Sequence, residues 1–543
     1  MVQIGALLNI DPGQSRDKIA RSFDTMRTCG FRSCRMIVDP AYGDGIFDLY
    51  DCAFGCASER DMDIVVTLRG EEEFCIRAVS RYRGRRNLKA WDLTEGSPEL
   101  AARVREADPG HELIDKGVTL LPGIDFGGYD RRRWTVLASA KCDIARSAHR
   151  GGPFWVTGLQ GGGNLFSGSR SFSPMPGEIA QWLWTAVASG AEGVFIQSVN
   201  SKKDGKGAGE MSLLNMQGGK TCRSEAVREI IDVLDANEEL FSKARPVFSP
   251  VTMIYTGESL AAESLFHRDD LADADYEVRQ KGGTMKDAVA IYQVLMERGI
   301  RPDFREISEY DWEASGKGRC VVFAGQLAVH TKYYPMIRAF VKSGGKVIIE
   351  GMSFCYDEHM NSVFSSDFPL RDVFGGYVEE YCCRPGNYRL RIGGKRYWVH
   401  LFDGIIHNEA SGESLRILRN RYGRGSVTWI PSVIGMGAQR AGHRSRISRF
   451  FKKELRDIVK DMPISFRRRY SGICCHMLET DSQYVTIVTS SKKHRRRVAF
   501  RTDMRVERRL YYNNVNDKVG KARNHKVKVH AGQTVVALWN KNH

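Results

Sequence analysis

The sequence predicts an α/β protein in three parts: a (β/α)8 TIM barrel, a doubly wound α/β domain of the flavodoxin/amidotransferase-like type, and a small antiparallel β-sandwich. Three observations predict it. Residues 1–247 alternate apolar strand-like runs with amphipathic helical ones. Residues 248–462 alternate again, in the manner of an open sheet. Residues 463–543 instead carry short strand-like runs separated by turn residues. A chain of 543 residues has room for three or four domains at ~150 residues each.

The first strand is QIGALLNI (3–10). SRDKIARSFDTMRTCGF follows with helical spacing, setting Ile19, Phe23 and Met26 on one face. Strands come at 33–39 (SCRMIVD), 63–68 (DIVVTL) and 88–94 (LKAWDLT), with a helix near 47–60 and another before the fourth strand. HELIDKGV (111–118), the weakest run, is the fifth strand. TLLPGIDF (119–126), PFWVTGL (153–159) and GVFIQSV (193–199) are the sixth to eighth. Strands alternating with helices pair in parallel, and eight such units in ~210 residues fit a compact barrel.

VTMIYT (251–256) opens the second region, and a helix over 285–298 places Ala288, Ile291, Tyr292 and Leu295 on one face. FREI, RCVVFAG (319–325), a helix in YYPMIRAFVK and a strand in KVIIEG come next, the helix ending at a glycine cap in Ser343-Gly344-Gly345. GSVTWIP (425–431) and a helix over 444–459 close the region. No GxGxxG follows its first strand, so it is not read as a nucleotide binder. QYVTIVTSS, RRVAF, RRLYYNN, KVKVHA and TVVALWN are the strands of the last region.

Composition narrows the function. Hydrophobic residues at 42% and charged residues at 27% describe an ordinary globular chain. No apolar run reaches the ~18 residues of a spanning helix. The N-terminus lacks a basic stretch followed by an apolar one, so a cytoplasmic protein without membrane association is expected. Thirteen cysteines, an odd number thinly spread, make no disulfide scaffold. Neither Cys52 and Cys56 nor the adjacent pairs Cys382/Cys383 and Cys474/Cys475 form paired CxxC motifs, so no metal and no cofactor is expected. The net charge is +16, and residues 463–543 hold 18 Lys/Arg against 5 Asp/Glu, a local excess of +13. Arg467-Arg468-Arg469 and the run Lys492 to Arg497 could draw nucleic acid or another polyanion; a solvated basic face is the plainer reading.

Active sites in such barrels stand at the carboxyl ends of the strands. The fourth strand runs out into Thr94-Glu95. A carboxylate just past an apolar strand and near Trp91 is suited to a raised pKa, as a general acid requires. The same pattern fits a solvated loop glutamate.

RNLKAWDLTEG (86–96), PFWVTGLQGG (153–162), IAQWLWTAVASGAEGVF (179–195), GKGAGEMSLLN (205–215) and FVKSGGKVIIEG (340–351) resemble, over nearly the whole chain, segments of the β-galactosidases of glycoside hydrolase family 42. The resemblance implies a retaining two-carboxylate site between barrel strands 4 and 7, acting on a β-galactoside or related oligosaccharide. It implies Glu95 as the acid/base and a homotrimer. Departures gather at the same place. Gly158 stands at the nucleophile position, usually Glu, and carries no oxygen to attack with. Thr94 stands where the family has a sugar-binding Asn. The eighth strand ends in Ile196-Gln197-Ser198-Val199-Asn200 rather than in aromatics, which puts Gln197 at the sugar. Gly207 replaces a common loop Glu. Arg35 matches a family arginine beneath the site, and Glu210 is the candidate for a substitute carboxylate. The expectation is a galactosidase-type glycosidase that is impaired or inactive. A non-catalytic carbohydrate-binding pseudoenzyme and a polyanion-binding protein stay open as alternatives.

Overall fold

The computed structural model describes residues 2–42, 44–115, 117–126, 129–168, 170–205, 207–268, 273–364, 368–512 and 525–541. They form two compact units: Met1–Val247 with His476–Val498 and Asp503–His543, and Phe248–Cys475 with Ala499–Thr502. No helix among the described residues is long and apolar enough to cross a membrane.

The first unit is built on eight parallel strands: β1 (Gln3–Leu7), β2 (Ser33–Val38), β3 (Asp63–Leu68), β4 (Leu88–Asp92), β5 (Glu112–Ile114), β6 (Gly117–Leu120), β7 (Phe154–Gln160) and β8 (Ala191–Gln197). They are ordered β5-β4-β3-β2-β1-β8-β7-β6, which is a nearly closed TIM barrel. Helix α1 (Arg16–Thr28) is capped by Ser15, whose side chain accepts from the Lys18 N–H, and it buries Ile19, Phe23 and Met26 as its spacing requires. Helices α2 (Phe47–Ser58), α3 (Glu72–Tyr82) and α4 (Pro98–Ala107) follow β2, β3 and β4.

The structure departs from the sequence reading around the fifth strand. HELIDKGV is divided between the whole of the three-residue β5 and the start of β6, which follow each other without a helix. The sixth strand stops at Leu120, because Pro122 begins a one-turn helix, Pro122–Asp125, where the sequence suggested more strand. The lumen below the mouth is filled by Val65, Ala90, Ile114, Trp155 and Phe195. Trp155 and Phe195 stack at 5.7 Å between ring centres. Glycines on the neighbouring strands make this possible: a Cβ at Gly193 would lie 2.0 Å from the Trp155 ring, and one at Gly5 would lie 2.5 Å from Phe195.

Gln483–Ser490, Val506–Tyr512 and Thr534–Asn540 of this unit lie in a five-stranded sheet, which Arg245–Val247 edges by antiparallel pairing with Met477, Leu478 and Glu479, whereas Lys526–Val529 belongs to a three-stranded sheet.

The second unit has a six-stranded sheet in the order Asp303–Glu306, Val251–Tyr255, Cys320–Ala324, Lys346–Glu350, Gly425–Ile430 and Leu418–Tyr422. The first five are parallel and the last is antiparallel. The helix Gly283–Met296 buries Ala288, Ile291, Tyr292 and Leu295. A long hairpin of Gly376–Ile392 and Lys395–Asn408 went unread in the sequence. Register shifts between Val378 and Glu380 and between Arg384 and Asn387 interrupt the period-2 alternation by which strands are recognised.

Candidate active site

The floor of the barrel mouth is a buried ionic network. Asp92, the last residue of β4, is fully buried. Its Oδ2 accepts from Arg35 Nε at 2.8 Å and from Thr67 Oγ1 at 2.7 Å, and Arg35 Nη2 lies 2.6 Å away. Its Oδ1 accepts from the Thr94 hydroxyl at 2.6 Å and the Thr94 N–H at 3.0 Å. Burial opposes the Asp92 charge, but Arg35 and the threonine bonds outweigh it and hold the carboxyl below the usual range. Arg35 also donates from Nη1 to the Thr157 carbonyl at 2.7 Å. One side chain on β2 therefore spans the lumen and ties the end of β4 to β7, one residue before Gly158.

Above this floor is a cavity of about 490 Å3, lined among others by Asn9, Asp11, Asp39, Arg69, Gln197 and Glu210. Asn9 and Asn200 lock the ends of β1 and β8 together. The Asn9 N–H donates to Asn200 Oδ1 at 2.9 Å, and Asn200 Nδ2 donates to the Asn9 carbonyl at 2.9 Å. Glu210 is 4% exposed. Its Oε1 accepts from the backbone N–H groups of Leu165, Phe166 and Ser167 at 2.9, 2.6 and 3.2 Å, and its Oε2 has no hydrogen-bond partner among the described residues. Burial works against its charge, yet these donors hold its carboxyl below the usual range.

The residues singled out from sequence fall around this mouth as follows. Glu95 lies just past β4, with its side chain 59% exposed and Oε2 2.9 Å from Arg69 Nη2. Trp91 is turned away from it: the buried indole donates to Asp108 Oδ2 at 2.8 Å. Arg35 lies beneath the cavity and Thr94 points its hydroxyl down to Asp92. Gln197 lines the cavity and faces Gly158. A Cβ on Gly158 would stand 3.1 Å from Gln197 Oε1 and 3.6 Å from Thr119 Cγ2, so the amide occupies the direction in which a side chain would leave β7. Sequence reasoning did not give Asp92, Thr67 or Arg69 a role. Asp92 had a signal, a charge inside the apolar run LKAWD; Thr67 and Arg69 had none.

This is the fold of the family 42 glycoside hydrolases. The structure superposes on a catalytic mutant of a family 42 β-galactosidase from G. stearothermophilus with a TM-score of 0.76, at 12% identity over 99% of this chain and 98% of that one. A β-galactosidase from Halorubrum lacusprofundi gives 0.76, at 15% identity over 100% and 99%. An exo-β-1,4-mannosidase from an Opitutaceae bacterium gives 0.58, at 12% identity over 84% and 96%. No family model matches the sequence, and no curated protein matches it. Identities this low speak for the fold alone.

Proposed function

We propose that the barrel mouth is a glycoside hydrolase site of β-galactosidase type, taking a β-galactoside or related oligosaccharide. Glu95 is its acid/base, and hydrolysis is impaired because Gly158 stands where the nucleophile belongs. The observation that carries this reading is Arg35, which braces β4 against β7 and so couples the two strands on which a retaining carboxylate pair would stand. Gln197 supplies an amide to a sugar hydroxyl in place of an aromatic wall. A homotrimer belongs to the same proposal and is checked by light scattering.

The test is hydrolysis of an aryl β-galactoside with and without azide, in the native chain and in Gly158→Glu. The glycine has no left-handed φ, and the nearest atom to the new Cβ is the end of a flexible side chain, so the Cβ itself is accommodated if Gln197 yields. The expected outcome is negligible turnover in the native chain, azide-dependent formation of an α-galactosyl azide, and a gain of about 10³-fold or more in Gly158→Glu. Turnover of the native chain without azide, unaffected by Glu95→Gln, would overturn the assignment. Galactoside binding without turnover in any variant would favour the carbohydrate-binding reading, for which the Gln197 amide filling the nucleophile's space is the specific support.

A further inference from the structure

Past the carboxyl ends of the second unit's parallel strands lies a cavity of about 460 Å3. Doubly wound sheets bind ligands in that crevice, where the strand order reverses. Here it reverses between Val251–Tyr255 and Cys320–Ala324, and the cavity takes Gly325 and Leu327 from just beyond the latter. Its wall is largely apolar, with Leu327, Met352, Phe402 and Val433, while His267, Arg268 and Arg279 stand at its more exposed side. The buried charged group in the wall is Asp287, 1% exposed.

Asp287 lies beside Glu350, which is equally buried, and burial pushes both carboxyls above the usual range. Asp287 Oδ1 accepts the Met436 N–H at 2.6 Å, and Glu350 Oε1 accepts the Ile434 and Gly435 N–H groups at 2.7 and 2.8 Å. In a dry interior burial raises both carboxyls, and the Asp287 charge raises Glu350 further, so the two cannot both ionise freely without a cation. Among the described residues neither Asp287 Oδ2 nor Glu350 Oε2 has a hydrogen-bond partner.

Three other buried carboxylates of the unit are treated differently, while Glu263, also buried and raised by burial, has no Lys or Arg ion pair among the described residues. Glu297 is held by Arg444 and Arg469, Glu454 by Lys346 and Arg419, and Asp403 by Arg416. Among the described residues no Lys or Arg forms an ion pair with Asp287 or Glu350. An uncompensated buried charge is costly, and an open cavity beside it is where the missing cation fits.

We propose that this cavity binds a small organic cation, a primary amine or amidine with an apolar body, whose charged head bonds Asp287 and whose body lies against Leu327, Met352, Phe402 and Val433. A hard metal ion needs several oxygen ligands, and no cluster of three or more metal-ligating side chains exists among the described residues.

Hexylamine and hexan-1-ol, which share one apolar body, separate charge recognition from cavity filling. The full chain should show saturable calorimetric binding of hexylamine and a rise in melting temperature, with hexanol at least tenfold weaker. Asp287→Asn should lower hexylamine affinity at least tenfold. Leu327→Trp fills the cavity while leaving the acid pair intact, and should abolish binding even if the Asp287 variant fails to fold. Equal binding of amine and alcohol, absence of hexylamine binding in the folded native chain, or hexylamine binding that survives Leu327→Trp would each overturn the proposal.

Discussion

Asp92 in the barrel and the Asp287–Glu350 pair in the second unit are buried alike, yet their charges are settled in opposite ways. Beside Asp92 stands a guanidinium, and the carboxyl is held below its ordinary range despite its burial. Beside Glu350 stands another acid; burial first, and then the Asp287 charge, push its carboxyl well above the ordinary range. Burial has the same sign in both places, so the partner decides the outcome. The barrel thus keeps a carboxylate ionised under its mouth to below the ordinary carboxylate range, whereas the second unit favours a proton where a cation would serve.

The largest expected effect comes from breaking the barrel side of this contrast. Asp92→Asn leaves Arg35 buried without its counter-ion and should cost about 3–5 kcal/mol in denaturant unfolding. A loss below about 1 kcal/mol would mean that Arg35 finds another partner and that the two regions are less different than they look. Next comes the acid pair. The folded Glu350 keeps a proton that the unfolded chain releases near its ordinary pKa. Its contribution is therefore fully present below that value and is lost as pH rises toward the raised folded value. Melting curves between pH 5 and 9 should show this as up to about 1.4 kcal/mol per pH unit for one proton, and Glu350→Gln should flatten it. Equal slopes in both proteins would assign the pH dependence to other groups. For Asp92 the sign is reversed: its contribution is present above the unfolded pKa and is lost as pH falls through the lowered folded value.

Glu210 sharpens the contrast from a third side, as a buried carboxylate kept charged by hydrogen-bond donors, the backbone N–H groups and the Ser167 side chain. Glu210→Gln retains an acceptor oxygen but loses the charge, and should cost about 1 kcal/mol, with faster amide exchange at Leu165, Phe166 and Ser167. The smallest effect is expected from Thr67→Val, which removes one of the bonds to Asp92. About 0.5–1.5 kcal/mol in denaturant unfolding, with the Asp92–Arg35 pair preserved, would show that the guanidinium dominates.

Much of the barrel was legible because its elements are short-range patterns. The helix face of Ile19, Phe23 and Met26 and the apolar runs of β1 to β4 depend only on residue spacing. The helix-less β5–β6 step was not legible, since HELIDKGV reads as one weak strand. Nor was the long hairpin of the second unit, whose bulges hide its alternation. At the site, Arg35, Glu95, Gly158 and Gln197 could be located from segment resemblance. The role of Asp92 could not, because Arg35 lies 57 residues before it and Thr157 lies 65 after it. Asp287 was less visible still. It sits in a helix buried nearly all round, and its partner is on a strand that begins 59 residues later.

The sequence by itself determined the alternating strands and helices of the barrel and the second sheet, and the absence of a side chain at residue 158. These follow from periodicity, capping and residue identity, which are local. Only the tertiary structure decided that the Gln197 amide fills the space before Gly158, that Glu210 is cradled by three backbone N–H groups, and that one buried acid met an arginine while another met an acid. Those outcomes depend on which side chains the chain closure brings within about 3 Å, and it is there, in a water-poor interior, that a partner fixes the charge of a carboxyl group.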